Sequence, residues 1–254
     1  MNNQFRVSNK VYDASIESLE IRGKEEIRPW NLFEVIKTYL TPESRLLDVG
    51  CGTANKLIPL SSFVKDIVGL DIWKNVQMRK KAATNVRESG NKNITLIQGD
   101  SQKLPFPDNN FDILTYMLAP QYAQEAYRVL KPGGFIIIER VGEDDKKNFK
   151  EMFGNNSEGH PRGLNSEFKT GELAAIYKQD LMNTGFSDIT VRSGKWNTWY
   201  THAGLIKLFQ AAPDVQDFQT QKDASIVDKI ARKYNTSKGI LTQQHRYLII
   251  AQKK

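Results

Sequence analysis

Short runs of β-branched and apolar residues alternate with segments of helical pattern through the middle of the chain, and this order constrains the fold more than any other feature. Strands separated by helices are joined by crossovers, and such strands pair in parallel. The runs predicted as strands are 44–50, 66–71, 93–98, 111–116 and 135–139. The helical segments between them end at Leu60 or cover 74–89 and 121–130, before the sequence KPGG, which is predicted to stop the last helix. The pattern therefore predicts an α/β domain with a doubly wound sheet.

The composition narrows the class of protein. The chain has 254 residues, 39% of them hydrophobic and 26% charged, which suffices for a sizeable core and is unlike a disordered chain. No run approaches the roughly 18 apolar residues of a membrane span, and the N-terminal sequence lacks the apolar stretch of a secretory signal. The single cysteine, Cys51, excludes an internal disulfide and a cysteine-based zinc site. We expect a soluble, cytoplasmic protein with no membrane partner and no metal site.

The segment Leu46–Leu57, LLDVGCGTANKL, joins a predicted strand to a predicted helix through a tight turn. Gly50 permits the turn, and Gly52 allows a ligand to approach the backbone closely. A helix that begins here would offer free N–H groups to an anionic group. Asp71 follows Gly52 by nineteen residues, at the end of the next strand, where a carboxylate can accept hydrogen bonds from a ribose diol. Together these residues predict a site for a ribose-bearing cofactor.

Asn55 and four sequence motifs of the chain indicate which kind of ribose-bearing cofactor the site would bind. Asn55 stands where a dinucleotide site expects a small residue. The sequences DVGCGT, GLDI, QGDSQKLPFPDNNFDIL and EAYRVLKPGGFIIIE follow one another across residues 44–140. In this order and spacing they resemble the class I S-adenosylmethionine-dependent methyltransferases, in particular the small members with an RVLKPGG turn. The resemblance implies S-adenosylmethionine as cofactor and a Rossmann-like, doubly wound sheet of seven strands, mostly parallel with an antiparallel last strand, and helical cap elements.

The resemblance also implies which residues bind the cofactor. They are Asp48, Gly50, Cys51, Gly52, Asp71, Ile72, Asp100, Ser101, Tyr116, Met117 and Leu118. Asp48 and the turn at 50–52 would lie under the methionine portion, and Asp71 would hold the ribose hydroxyls. Ile72 would lie against the adenine, whose amino group Asp100 would recognise with Ser101 beside it. The segment 116–118 would pass beneath the sulfonium.

The segments outside the core complete the predicted organisation. Helices are expected over 31–40, near 169–184, near 201–212 and near 222–234, and further strands at 188–193 and 246–252. We predict one domain over 1–254. It comprises an N-terminal helical cap (1–41), a cofactor-binding core (42–193), an inserted helical cap (194–244) and a last strand (245–254). The inserted cap is expected to cover the substrate.

For the residues that would assist methyl transfer, the sequence offers several candidates rather than one assignment. A sulfonium methyl is already activated, so its in-line displacement depends chiefly on orientation. Candidates for a general base are His160 in the polar connection after the fifth strand, His202, and Tyr116, while His245 is expected to be structural. Aromatic rings that could face the sulfonium are Tyr12, Trp30 and Tyr116. The cluster Trp196, Trp199 and Tyr200 could line an acceptor pocket or pack a cap.

The acceptor is predicted to be a small molecule, because the caps suit an enclosed pocket. RNA is the alternative, although the net charge of +7 is spread along the chain with no basic arm. The segment TYMLAP also differs from the sequence found in methyltransferases that act on exocyclic amines of bases. Two other classes share parts of the pattern, namely a nicotinamide-dependent oxidoreductase and a catalytically silent cofactor-binding or scaffold protein.

Overall fold

The computed structural model describes residues 23–254, which contain nine strands and seven α-helices. The strands are β1 (Lys24–Glu25), β2 (Arg45–Val49), β3 (Asp66–Asp71), β4 (Ile94–Gln98), β5 (Phe111–Met117), β6 (Leu130–Val141), β7 (Phe186–Tyr200), β8 (Asn235–Thr236) and β9 (Gly239–Lys253). The helices are α1 (Leu32–Lys37), α2 (Val76–Ser89), α3 (Ala123–Val129), α4 (Lys147–Lys150), α5 (Glu172–Thr184), α6 (His202–Ala211) and α7 (Thr220–Lys233). Two 3₁₀ turns cover Ile58–Phe63 and Glu151–Phe153. Within residues 23–254, no helix combines the length and the apolar character that crossing a membrane requires.

The strands form one mixed sheet in the order β1-β7-β9-β6-β5-β2-β3-β4, with β8 paired to β9. Pairing is parallel from β6 through β5, β2 and β3 to β4, while β1 pairs antiparallel with β7 and β8 pairs antiparallel with β9. The predicted doubly wound, mostly parallel sheet is confirmed. It has nine strands rather than the predicted seven. Two of the nine, β1 and β8, have only two residues each. The strand order reverses at β2, and ligands of such sheets bind at the carboxyl ends beside this reversal.

Helix α2 shows why these segments begin and end where they do. The side chain of Asn75 accepts hydrogen bonds from the N–H groups of Gln77 and Met78, which would otherwise lack a partner in the first turn. The helix ends at Gly90, whose φ of 71° is the left-handed conformation that glycine adopts without strain. These two signals confirm the helix predicted over 74–89.

Three segments differ from their predicted structure. The helix expected after the turn at Gly52 is instead a turn followed by the 3₁₀ segment Ile58–Phe63, which has a proline near its start. The helix before the sequence KPGG ends at Val129, as predicted, but residues 131–134 lie within β6 rather than in a separate turn. The pairing of β6 with β5 shifts there, from Phe111–Leu130 to Ile113–Phe135. Strand β7 runs to Tyr200, so Trp196 and Trp199 lie on a strand rather than at the head of a helical insertion.

Residues 23–254 belong to two compact units, and each unit has its own hydrophobic core. Of the described residues, unit 1 comprises 23–29, 142–173 and 194–246, and unit 2 comprises 30–141, 174–193 and 247–254. The core of unit 1 contains Phe149, Tyr200 and Phe209, with further residues of α6 and α7. The core of unit 2 contains Leu46, Ile67, Ile113 and further apolar residues on and around the parallel strands. The segment 194–244 holds α6 and α7 together with parts of β7 and β9, and its role as a substrate cap stays a prediction.

Candidate functional site

The turn after β2 is built around two glycines. Gly50 has a φ of 80°, and a Cβ atom there would lie 2.3 Å from the Cβ of Ala119, so no larger residue fits. The N–H groups of Gly50 and Cys51 both donate to the carbonyl oxygen of Leu70, at 2.7 and 3.1 Å. Gly52 has a φ of 56°, and a Cβ atom there would come no closer than 4.0 Å to its nearest neighbour, the sulfur of Met78. The turn therefore ties the carboxyl end of β2 to that of β3 and leaves room above Gly52.

The carboxylate of Asp71 completes this turn from the end of β3. Its Oδ2 accepts a hydrogen bond from the N–H of Gly52 at 2.9 Å, and its Oδ1 accepts one from the N–H of Trp73 at 2.8 Å. The indole of Trp73 donates in turn to the carbonyl oxygen of Gly52 at 2.8 Å. Since each carboxylate oxygen has a second lone pair, Asp71 can still accept from a diol. Sequence reasoning did not identify Trp73.

Asp48 is a fully buried carboxyl group beside the turn. Its Oδ1 accepts a hydrogen bond from the hydroxyl of Thr115 at 2.6 Å, whereas its Oδ2 has no hydrogen-bond partner among residues 23–254. Burial raises the pKa of Asp48 to about 7, against a weaker opposing influence of the Thr115 hydrogen bond and the charge of Lys56. An unpartnered buried oxygen costs free energy, and a cationic ligand group would satisfy it.

The thiol of Cys51 and the hydroxyl of Tyr116 both stay protonated near neutral pH. Burial raises the pKa of Cys51, and the charges of Asp48 and Asp71 raise it further. Burial likewise raises the pKa of Tyr116, whose hydroxyl has no partner in the described part of the chain. The catalytic role considered for Tyr116 stays a prediction. Tyr116 follows Thr115 along β5, so its ring faces the opposite side of the sheet from Asp48.

The remaining predicted cofactor residues lie at the ends of β3, β4 and β5. Asp100 is exposed, and its Oδ1 accepts from the N–H of Gln102 at 2.9 Å, with Ser101 half-buried beside it. Ile72 is 45% exposed, so it is not a core residue. Met117 and Leu118 are half-buried, and Leu118 has a φ of 62°. The strands thus bring these residues to the same edge of the sheet.

Arg128 on α3 holds the loop that carries Asp100 and Ser101. Its guanidinium donates to the carbonyl oxygens of Phe106 (2.7 Å) and Leu104 (3.0 Å) and pairs with both carboxylate oxygens of Glu125 (2.7 and 2.8 Å). Glu125 also accepts from the N–H of Leu104 at 2.7 Å. Hydrogen bonds from Arg128 hold the pKa of Glu125 below its usual range. The arginine of the RVLKPGG sequence therefore has a structural role that the sequence alone did not reveal.

The other residues considered for acid–base or aromatic roles are described within their own units. His160 and His202 belong to unit 1, where His202 Nε2 lies 2.9 Å from Asp228 Oδ1 on the surface. The indole of Trp30, in unit 2, donates to Glu139 at 2.8 Å. Tyr12 lies outside the described residues. Trp196 is stacked by Arg28 and Arg246, and the Tyr200 hydroxyl accepts from Gln244, so both rings have structural partners.

His245 is fully buried in unit 1, where burial lowers its pKa. It forms, with Glu143 and Asp144, a group whose nearest ligand atoms lie within 4.8 Å of one another. The Nζ atoms of Lys195 and Lys147 reach the carboxylate of Asp144 at 2.8 and 3.4 Å. These lysines supply the positive charge that a cation would otherwise bring. We assign this cluster a structural role.

The edge of unit 2 fits an adenosyl-methionine group. The uncrowded backbone at Gly52, the remaining lone pairs of Asp71 and the unpartnered Oδ2 of Asp48 match the backbone approach, the ribose hydroxyls and the ammonium group of such a ligand. The role of each residue in binding stays a prediction.

Comparisons with known proteins identify the family of this chain. Residues 47–138 match a family model described as a methyltransferase domain. The chain is 30% identical to a demethylmenaquinone methyltransferase of Staphylococcus epidermidis over 205 residues, which cover 71% of this chain and 83% of that one. It is 35% identical to the protein of the same name from Anoxybacillus flavithermus over 158 residues, which cover 58% of this chain and 66% of that one.

The fold is also similar to that of phosphoethanolamine N-methyltransferase 2 of Haemonchus contortus, which was solved with phosphomonomethylethanolamine and S-adenosylhomocysteine. The TM-score is 0.55 at 20% identity, and the match covers 88% of this chain and 52% of that one. These findings decide against the nicotinamide-dependent and the catalytically silent alternatives. The chain belongs to the class I methyltransferases and is an enzyme that uses S-adenosylmethionine.

Proposed function

We propose that this enzyme transfers the methyl group of S-adenosylmethionine to a small molecule with a quinone-type ring. The observation that carries the proposal is the match over 205 residues to a demethylmenaquinone methyltransferase, which covers 83% of that relative. The spread of positive charge along the chain, without a basic arm, also favours a small molecule over RNA.

The residues of unit 2 would bind and orient the reactants. The cofactor supplies an activated methyl group on a sulfonium. Gly50 and Gly52 would let it approach the backbone, Asp71 would accept from its ribose hydroxyls, and Asp48 would pair with its ammonium group. Orientation of this kind can contribute about 7–11 kcal/mol to lowering the barrier. No proton-transfer residue is assigned, and the histidines considered above stay candidates only.

A transfer assay distinguishes the acceptors. The purified enzyme would be incubated with S-adenosylmethionine carrying a deuterated methyl group and, in parallel, with a demethylated naphthoquinol bearing a short prenyl tail or with total RNA. Products would be detected by mass spectrometry. We expect a labelled methyl group on the ring compound and none on RNA bases. Label in RNA, or in neither sample while the cofactor binds, would contradict the proposed acceptor.

A further inference from the structure

Gln121 has a side-chain amide whose two polar atoms are both buried and both without a hydrogen-bond partner among residues 23–254. A buried amide that lacks partners destabilises the folded protein, since the amide loses its hydrogen bonds to water and gains none in return. An apolar residue of similar length would fill the same volume without this cost. The amide of Gln121 therefore needs a partner from outside the described residues, either an ordered water or a bound molecule.

Other side-chain amides of the described chain do not share this condition. Asn85, Asn93, Gln98 and Gln252 each donate to a backbone carbonyl oxygen, at distances of 2.8–3.0 Å. These four amides thus each have a protein partner for their N–H₂ group. The amide of Gln121 differs from them.

The backbone around Gln121 is fixed beside the cofactor turn. Gln121 lies between β5 and α3, at the carboxyl edge of the parallel strands. Two residues earlier, Ala119 packs against Gly50 so closely that a Cβ atom on Gly50 would lie 2.3 Å from the Cβ of Ala119. The carbonyl oxygen of Ala119 also accepts a hydrogen bond from the guanidinium of Arg140. These contacts hold the segment in place, as a residue that positions a ligand requires.

The polar groups of the cofactor have other candidate partners. Asp71 is placed for the ribose, Asp48 for the ammonium group and Asp100 for the adenine. We propose that Gln121 instead binds the acceptor, and that its amide donates to one oxygen substituent of the acceptor ring and accepts from a neighbouring hydroxyl. A neutral amide offers both functions without placing a charge beside the ring. This inference rests on the proposed function, since it takes the acceptor to be an oxygenated ring.

The variant Gln121→Met tests the inference, with Gln124→Met, an exposed residue of α3, as the matched control. Three quantities would be measured on the full chain: the Tm of the ligand-free protein, the Kd for S-adenosylmethionine and the KM for the demethylated naphthoquinol. For Gln121→Met we expect an equal or higher Tm, a cofactor Kd within about twofold of the wild type, and an acceptor KM raised at least about tenfold. For Gln124→Met we expect all three quantities to match the wild type.

A structural role for Gln121 would give a different pattern. A lower Tm for Gln121→Met, a weaker cofactor Kd, or an acceptor KM equal to that of the wild type would each overturn the inference. If the wild type does not methylate the naphthoquinol, the proposed acceptor fails, and the comparison of Tm and cofactor Kd still decides whether Gln121 serves the fold, the cofactor or neither. A higher Tm with an unchanged cofactor Kd would then still support a ligand other than the cofactor.

Discussion

At the scale of single residues, the carboxylate of Asp71 contributes both to the cofactor turn and to the proposed ribose contact. In Asp71→Ala the ribose hydroxyls lose their acceptor, and the N–H groups of Gly52 and Trp73 lose theirs. We expect the affinity for S-adenosylmethionine, measured by calorimetry, to fall by roughly 1.5–3 kcal/mol, the range for hydrogen bonds to charged groups. Asp66→Asn, at the opposite end of β3, is the control. Equal affinities in Asp71→Ala and the wild type would show that Asp71 does not bind the ribose.

The pKa of Asp48 makes a second prediction at this scale. Because burial raises this pKa from 3.8 to about 7, the ligand-free native state holds a proton that the unfolded state has already released. The free energy of unfolding should therefore fall as the pH rises from about 4 to about 7, by roughly 2–4 kcal/mol from this group. Asp48→Asn cannot ionise and should lose this part of the slope, as urea unfolding at pH 5 and pH 8 would measure. If Asp48→Asn showed the wild-type dependence of the free energy of unfolding on pH, the raised pKa would not belong to Asp48. The control Asp66→Asn should keep the wild-type dependence.

The residues of the site differ in whether the neighbouring sequence is enough to predict them. Gly50, Gly52 and Asp71 were predicted from the sequence, because a tight turn and the end of a strand are each indicated by residues that are close together in the chain. The contribution of Trp73 was not predictable, because it depends on a φ of 38° that nothing in the residue type indicates. The missing partners of Asp48 and Gln121 are likewise properties of packing, and packing joins residues that are distant in sequence.

At the scale of elements, the pair Glu125 and Arg128 fastens the loop of residues 100–108 to α3. In Arg128→Met, the carbonyl oxygens of Leu104 and Phe106 lose their donor and Glu125 loses its ion pair. We expect the free energy of unfolding, measured with urea, to fall by about 2–3 kcal/mol. Arg79→Met removes one exposed hydrogen bond to a side chain and should change it by less than about 1 kcal/mol. Equal stability of the two variants would argue against the role of Arg128.

Strand boundaries show which elements the sequence determines. Strand β3 covers the six residues that were predicted, because its apolar run is bounded by Asp66 and Asp71. The strand predicted over 188–193 is part of β7, which continues to Tyr200. Its last residues pair with β1, whose residues Lys24 and Glu25 are far away in sequence. Long-range pairing of this kind leaves no pattern within the strand itself.

At the scale of the whole molecule, unit 1 encloses a network of buried charges. Asp145 is fully buried, pairs with Arg246 and Lys146, and accepts from the N–H of His245 at 2.9 Å. The charges of Arg246 and Lys146 hold the pKa of Asp145 below its usual range despite the opposing effect of burial. Since the folded pKa is depressed, this stabilisation is present above the unfolded pKa and is lost as the pH falls toward the folded value.

Removal of the negative charge of Asp145 should therefore lower the free energy of unfolding. Asp145→Asn removes the carboxylate paired with the buried guanidinium of Arg246 and one of the two carboxylates paired with Lys146, which keeps Asp214, and we expect the free energy of unfolding near pH 7 to fall by about 3–5 kcal/mol. The control Asp228→Asn removes an exposed partner of His202 and should cost less than about 1 kcal/mol. Thermal and urea unfolding of the two variants would measure the difference. A loss in Asp145→Asn no larger than that of the control would show that the network does not stabilise the protein.

The position of Cys51 gives this enzyme a built-in chemical reporter. It is the single cysteine of the chain, it lies within the turn between β2 and the 3₁₀ segment, and its raised pKa keeps the thiol in the unreactive protonated form while the turn is closed. Alkylation of the wild-type protein would therefore be slower than that of a free thiol, by a factor that reflects how much of the protein presents Cys51 to the reagent. One added reagent thus reports the accessibility of the turn in an unlabelled enzyme.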